Sequence, residues 1–504
     1  MNRTFYAFLL LVSSLVGFST GLYAQVTTSQ LTGKVTSAKG ENLPGVTVQA
    51  VNTSTGARYG AQTNAEGRYI LPNLNPGGPY TITVSFIGYK KEEKPDQNLG
   101  LGGTTLNFKL QEESTALSEI VVVGSNAPKS GRINQEQLKT LPSLNRSLQD
   151  FTRVTPQSNN NSFLGTNYRY NNVTLDGAIN NDAIGFSPSL GGQSNTSGQP
   201  GSSTRTNPVS LDAIQDIQVY LAPYDVKIGN FLGGSINAVT RSGTNEFHGS
   251  VYGFGRGAFM IGKNNAGDGS KLPSDFHDYQ TGVRLGFPII KDKLFFFTNA
   301  EITRRQDPVI LAAGSADMPL LNATQAQQIS DHMKALGGDP GTYGNTSIYS
   351  NSNKFFNRLD WHINDKHQLS IRNNTITSQA TNLERDQQNF RFSGIDYKQV
   401  NNQTSTVAEL KSRFSNTVSN SLILGYSSIH DYRNPLSNPA LPQIQIASKG
   451  GTIFLGTDRE AAIFNMKQKT FEFTDNVTIF KGNHNITIGT HNELYNITYG
   501  FVNS

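Results

Sequence analysis

Catalysis and metal binding draw most heavily on histidine and cysteine, and this chain of 504 residues has eight of the first and none of the second. The missing thiols exclude disulfide scaffolds, Cys-ligated zinc and thiol nucleophiles. His248, His277, His362, His367, His430, His484 and His491 stand singly, and no His-Glu-x-x-His run offers a zinc site. A lone histidine on a polar strand face or loop reads as a solvated side chain. Asp176-Gly177 followed by Asn180, Asn181 and Asp182 has calcium-ligand residue types but lacks the Asp-x-Asp-x-Asp-Gly spacing. Gly262-Lys263-Asn264 is the nearest approach to a phosphate loop, and it fails on spacing and on the final hydroxyl. The expectation is therefore no catalytic residue, no metal, no cofactor and no enzyme. A net charge of +5 without a dense Lys/Arg cluster gives no case for nucleic acid.

What remains is the chemistry of the backbone. Glu119, Ile120, Val121, Val122, Val123, Gly124 and Ser125 form a short apolar, β-branched segment between polar flanks. Such a segment is costly to leave as a free edge. It reads either as a buried strand or as a strand donated to a partner's sheet, where main-chain hydrogen bonds supply the affinity.

The elements around it are β-strands. Forty-nine glycines, 28 phenylalanines and 19 tyrosines favour strands joined by turns, and the mean hydropathy of −0.40 is not that of a helical membrane protein. The apolar run Phe5 to Phe18 is too short to span a bilayer and precedes Leu22-Tyr23-Ala24, so residues 1–24 read as a secretory signal. Export suits a chain without cysteine, because unpaired thiols are a liability in an oxidising compartment.

Residues 26–113 carry short β-rich runs at Leu31–Val35, Gly45–Val51, Arg68–Leu71, Tyr80–Ile87 and Leu106–Leu110. Turn signals separate them, which predicts a small sandwich. LTGKVTSAKGENLPGVTV (31–48), TNAEGRYILPNL (63–74) and YTITVSFIGYK (80–90) resemble the carboxypeptidase-regulatory-like, transthyretin-like domain. The resemblance implies an accessory module with a carbohydrate-binding-like fold and no catalysis. Zinc in the metallocarboxypeptidases starts from His-x-x-Glu, which no histidine here satisfies.

Downstream, RYNNVTLDGAI (169–179), LDAIQDIQVYLAP (211–223) and GGSINAVTRSG (233–243) resemble the plug domain of TonB-dependent receptors. Asp176, Gly177, Gly233, Gly234, Asn237 and Thr240 carry that motif. The resemblance implies a plug over 127–243 and a TonB box within the linker 114–126, so that 119–125 would pair with TonB of an inner-membrane energising complex. Gln218 stands where the family often has Glu, and Ala222-Pro223 replaces its usual Gly-Pro. Ser187 to Asn207 is an Asn/Ser/Gly-rich insertion that reads as a loop.

From 244 to 504 about nine segments alternate with period 2, as barrel strands do. Phe355, Leu359, Trp361 and Ile363 share one face of their segment, with Arg358, Asp360 and His362 on the other. Phe471, Phe473, Val477 and Ile479 alternate with Glu472, Thr474, Asn476 and Thr478, while Ile486, Ile488 and Leu494 oppose Asn485, Thr487, His491 and Glu493. Period 2 also fits a soluble sandwich. The connections discriminate: short turns at 291–293, 364–366, 415–418 and 481–483 alternate with long loops at 259–277, 305–352, 379–403 and 434–467. Tight periplasmic turns and long extracellular loops are the pattern of an outer-membrane barrel. GFPIIKDKLFFFTNAE (286–301), with the module and plug motifs, is similar to the Oar-like group of TonB-dependent receptors, the SusC-like group being the close alternative.

The fold expected is all-β: a transthyretin-like sandwich, a plug and an incomplete antiparallel outer-membrane barrel. At roughly 29 residues per strand, a lumen wide enough for a plug, of about 22 strands, needs about 640 residues. These residues are therefore expected to be part of a longer barrel. The resemblance implies TonB-coupled uptake of a glycan, peptide or chelate, bound by plug apices and the loops at 187–207, 305–352 and 434–467. Outer-membrane lipid and an unknown extracellular ligand are partners, a surface lipoprotein a possible further one. The competing reading is a surface adhesion or carbohydrate-binding β-protein without transport.

Overall fold

The computed structural model describes residues 28–112, 132–181, 202–262 and 275–500, short of some brief loop stretches. The signal segment and residues 119–125 lie outside these.

The N-terminal unit is a sandwich of two four-stranded sheets. One holds β1 (Ser29–Ser37), β4 (Arg68–Leu74), β7 (Gly102–Thr105) and β8 (Phe108–Leu110); the other holds β2 (Thr47–Asn52), β3 (Arg58–Gln62), β5 (Gly77–Ser85) and β6 (Glu92–Leu99). The five expected strands are present. Three more, β3, β6 and β7, lack a hydrophobic run of their own and are held by pairing with β2, β5 and β1. Leu31, Val48, Leu71, Tyr80 and Ile82 fill a core drawn wholly from this unit. Burying such side chains stabilises by about 1.5–3 kcal/mol each.

An inner domain follows. Its sheet runs β13 (Ala178–Ile179), β12 (Asn172–Leu175), β15 (Gly234–Thr240), β14 (Ile214–Leu221), β9 (Arg132–Ile133), beside a small hairpin of β10 (Ser158–Asn159) and β11 (Ser162–Phe163). Every residue of β15 is buried, because it is central in its sheet and covered on both faces.

The third unit is one antiparallel sheet of nine strands: β16 (His248–Gly257), β17 (His277–Ile290), β18 (Leu294–Val309), β19 (Thr346–Asn364), β20 (His367–Thr381), β22 (Tyr397–Arg413), β23 (Val418–Pro435), β26 (Asn465–Lys481) and β27 (His484–Gly500). Its strands reach further into the expected long loops than the alternation indicated. Pairing of β18 with β19, for instance, continues to Val309 opposite Thr346. Phe355, Trp361 and Ile363 are 49%, 45% and 40% exposed, whereas Arg358, Asp360 and His362 are 8%, 5% and 9% exposed. Apolar out and polar in is the inverse of a soluble sandwich and suits a sheet with lipid outside. The inner face wraps the inner domain, touching it from Tyr252 on β16 to Glu472 on β26. Phe297 and Phe356 enter the inner domain's own apolar core.

At the long-loop end, the connections fold together into a canopy. A helix, Ala323–Ala335, starts at an Asn322–Gln325 capping box. It lies over a three-stranded sheet of β21 (Asn389–Arg391), β25 (Gly451–Gly456) and β24 (Gln443–Ser448). Leu320, Met333, Phe390, Phe392 and Leu455 give this canopy its own core.

Candidate functional site

The residues singled out in the inner domain converge on the seam between that domain and the sheet. Asp176-Gly177 joins β12 to β13 as a two-residue turn with φ of +45° and +79°. That is the geometry for which Asp-Gly is preferred in a hairpin. The turn projects the Asp176 side chain back along β15. One carboxylate oxygen accepts the Thr240 N–H at 2.7 Å, and the other accepts the Thr240 hydroxyl at 2.7 Å. Two sheet guanidiniums close on the same group, Arg358 from β19 at 3.5 Å and Arg372 from β20 at 3.2 Å. Arg358 also donates to the Thr240 carbonyl and hydroxyl and forks onto Asp360. Burial alone would raise the Asp176 carboxyl; Arg372, Arg358 and the two Thr240 bonds outweigh it and hold the group below its ordinary range.

Asn237 accepts the Thr174 hydroxyl at 3.0 Å and ties parallel neighbours β12 and β15. Gly233 and Gly234 open β15 where it crosses Phe163. A Cβ on Gly233 would lie 2.7 Å from the Phe163 carbonyl, and one on Gly234 would lie 2.7 Å from the Phe163 ring. Both positions need glycine for close approach, not for an unusual φ. Ala222, at the family's Gly-Pro position, has φ +43°, a conformation that glycine favours.

Other seam contacts involve residues that had been given no site role. Glu301 on β18 accepts Ser210 at 2.6 Å, Tyr252 at 3.1 Å and Lys354 at 2.8 Å. The Lys354 and Glu301 side chains are almost wholly enclosed. Glu472 on β26 accepts the Ile179 N–H at 3.0 Å, and Asp431 on β23 accepts Ser203 at 2.8 Å. At the canopy end, Arg205 donates to the carbonyls of Tyr349 and Thr381. Their one signal in the sequence was a polar residue on the inward phase of the alternation.

Histidines do not assemble. Among the described residues no group of three His, Asp or Glu is placed to hold a metal ion. The canopy does contain a cavity of about 220 Å³ that Glu384, Asp396, Arg391 and Arg433 help to line. Burial pushes the Glu384 carboxyl up to about 7 and that of Asp396 up to about 6.

Comparison with known proteins places this geometry. Residues 30–111 match the carboxypeptidase regulatory-like domain family. Residues 239–328 and 303–503 match the outer membrane beta barrel domain family. TonB-dependent transporter Oar of Myxococcus xanthus is 27% identical over 366 residues, which are 66% of this chain and 32% of that protein. The chain thus spans about a third of that relative's length. Among solved structures, the siderophore receptor PirA of Acinetobacter baumannii is 18% identical with a TM-score of 0.45, over 71% of this chain and 47% of that one. The outer membrane transporter YddB of Escherichia coli is 13% identical with a TM-score of 0.47, over 70% and 46%. The chain belongs to the outer membrane beta barrel domain family and carries an N-terminal carboxypeptidase regulatory-like domain ahead of the barrel.

Proposed function

We propose that this chain belongs to an importer that captures a large nutrient at the cell surface and passes it through the barrel when TonB pulls on residues 119–125. The inner domain is the plug. One observation carries the reading: Asp176 is fastened to Arg358 and Arg372 on the enclosing sheet. A buried carboxylate held by two guanidiniums does not part without work, since removing one partner strands the others. The outer membrane has no nucleotide supply, so that work must come from a partner. Residues 119–125 suit the role because a β-branched segment pairs through its backbone. The canopy and the Arg205 region are where the ligand would first be held, because loops on a rigid scaffold carry recognition. Its chemistry is a glycan, a peptide or a chelate.

The test deletes residues 119–125 in cells that carry the receptor. Once a ligand has been found by screening those three classes, its surface binding should persist and its uptake should stop. Uptake that survives the deletion overturns the reading.

A further inference from the structure

Among the described residues, the N-terminal sandwich meets the rest of the chain at the short-turn, periplasmic end. Asn245, in the segment joining plug to barrel, donates its N–H to the Ser54 carbonyl at 2.7 Å. Gln215 of the plug donates to the Pro76 carbonyl at 2.9 Å. Gln368, just after the β19–β20 turn, donates to the Tyr59 hydroxyl at 3.0 Å. Around the β22–β23 turn, Arg413 donates to the Gly60 carbonyl, and Asn73 donates to the Asn420 carbonyl at 3.4 Å. These contacts run from the start of β16 to the start of β23. The sandwich therefore lies across the mouth of the described sheet, directly beneath the plug.

This joint differs in kind from the seam above it. Plug and barrel share an apolar core through Phe297 and Phe356. The sandwich core takes no residue from either, and a cavity of about 380 Å³ separates Asn52 and Pro76 from Arg241 and Arg284. Each docking hydrogen bond is worth about 0.5–1.5 kcal/mol net. Separation would expose polar surface and leave the sandwich folded. Between the sandwich and the first plug strand lie residues 113–131, which contain 119–125, so a pull there acts on both neighbours.

We propose that the sandwich has a function of its own, as a periplasmic stopper beneath the plug that undocks when traction is applied to the segment joining the two. The proposal rests on the traction reading above. These 504 residues contain no cysteine, so an introduced pair is the only pair of thiols among them. A Cβ on Gly56 would lie 3.2 Å from that of Asp292 in the β17–β18 turn, close to the roughly 3.5–4.5 Å span of a disulfide. Gly56→Cys with Asp292→Cys is the first pair. Ser54→Cys with Asn245→Cys is the second, free of the positive φ at Gly56.

In intact cells, oxidative cross-linking of either pair should be fast after protonophore treatment or deletion of 119–125, and severalfold slower in energised cells. Cross-linked receptor should stop uptake, and a reductant should restore it. Equal rates with and without energy overturn the stopper, as does uptake through cross-linked receptor. Failure of both pairs to cross-link in correctly inserted, de-energised protein also overturns it. In each case, continued dependence of uptake on 119–125 leaves the coupling reading standing; uptake without that segment sinks the coupling reading instead.

Discussion

The Asp176 carboxylate at the tip of an inner-domain hairpin stands 3.2 Å from the guanidinium of Arg372 on barrel strand β20, with both side chains 7% exposed. Between them they join two domains 196 residues apart in sequence at a point where neither charge can be solvated instead. Asp176→Ala should therefore cost about 3–5 kcal/mol of plug retention, as expected for breaking a buried pair. Asp176→Asn, which keeps an acceptor for Thr240, should cost less. Hydrogen exchange of the β12 and β15 amides checks the order, and unchanged protection in Asp176→Ala would refute it.

Acid should loosen the same seam. The Asp176 carboxyl lies below its ordinary value of 3.8 when folded. Its contribution is present above that value and is lost as the pH falls through the lower, folded one. Limited proteolysis of the plug should accelerate below about pH 4. Asp176→Asn should remove most of that acceleration.

The canopy should respond to pH with the opposite sign. Burial raises Glu384 to about 7 and Asp396 to about 6, against neighbouring Arg391 and Arg205 that draw them down and Asp386 that raises Glu384. The canopy is thus most stable below their unfolded values and loses stability as the pH rises through 6 to 7. Asp396→Asn combined with Glu384→Gln should make canopy amide protection, corrected for the intrinsic pH dependence of exchange, nearly the same at pH 5 and pH 8, while the parent is less protected at the higher pH. Lower parent protection at the lower pH would reverse the sign and refute the account.

Gly233 has no room for a side chain against the Phe163 carbonyl. Gly233→Val should destabilise the plug by about 1–3 kcal/mol, the range for overpacking. The same substitution at Gly229, where nothing lies within 4 Å of a Cβ, should be close to neutral. Denaturant midpoints of refolded protein compare the two.

On β26 the two faces should diverge. Phe473 is on the outward face and Glu472 on the inward one. Phe473→Arg should cost about 2–4 kcal/mol if the residue sits near the bilayer midplane. Glu472→Gln should leave insertion intact and loosen the contacts to Ile179 and His491. Heat-modifiable gel mobility of the inserted barrel gives both readings.

Much of this architecture was legible in the residue order because a strand's two faces are written locally. Phe355, Trp361 and Ile363 against Arg358, Asp360 and His362 named lipid side and inner side within nine residues. The sorting of short turns from long loops gave the orientation. Asp176-Gly177 was named only for its residue types; that it turns a hairpin is shown by its φ of +45° and +79°. Strands such as β6, EEKPDQNL, were not legible, since a polar edge strand forms only when β5 is there to pair with it. The canopy was hidden for the same reason: parallel pairing of β21 with β25 joins residues about sixty apart in sequence.

By itself, then, the sequence determined the all-β class, the nine alternating strands and the N-terminal module. Tertiary structure alone decided that Asp176 meets Arg358 and Arg372, that Glu301 takes Ser210 and Lys354, and that the sandwich lies beneath the inner domain. Periodicity assigns a side chain to a face. Which charge answers it across that face depends on strand register and curvature, and these arise only from long-range pairing.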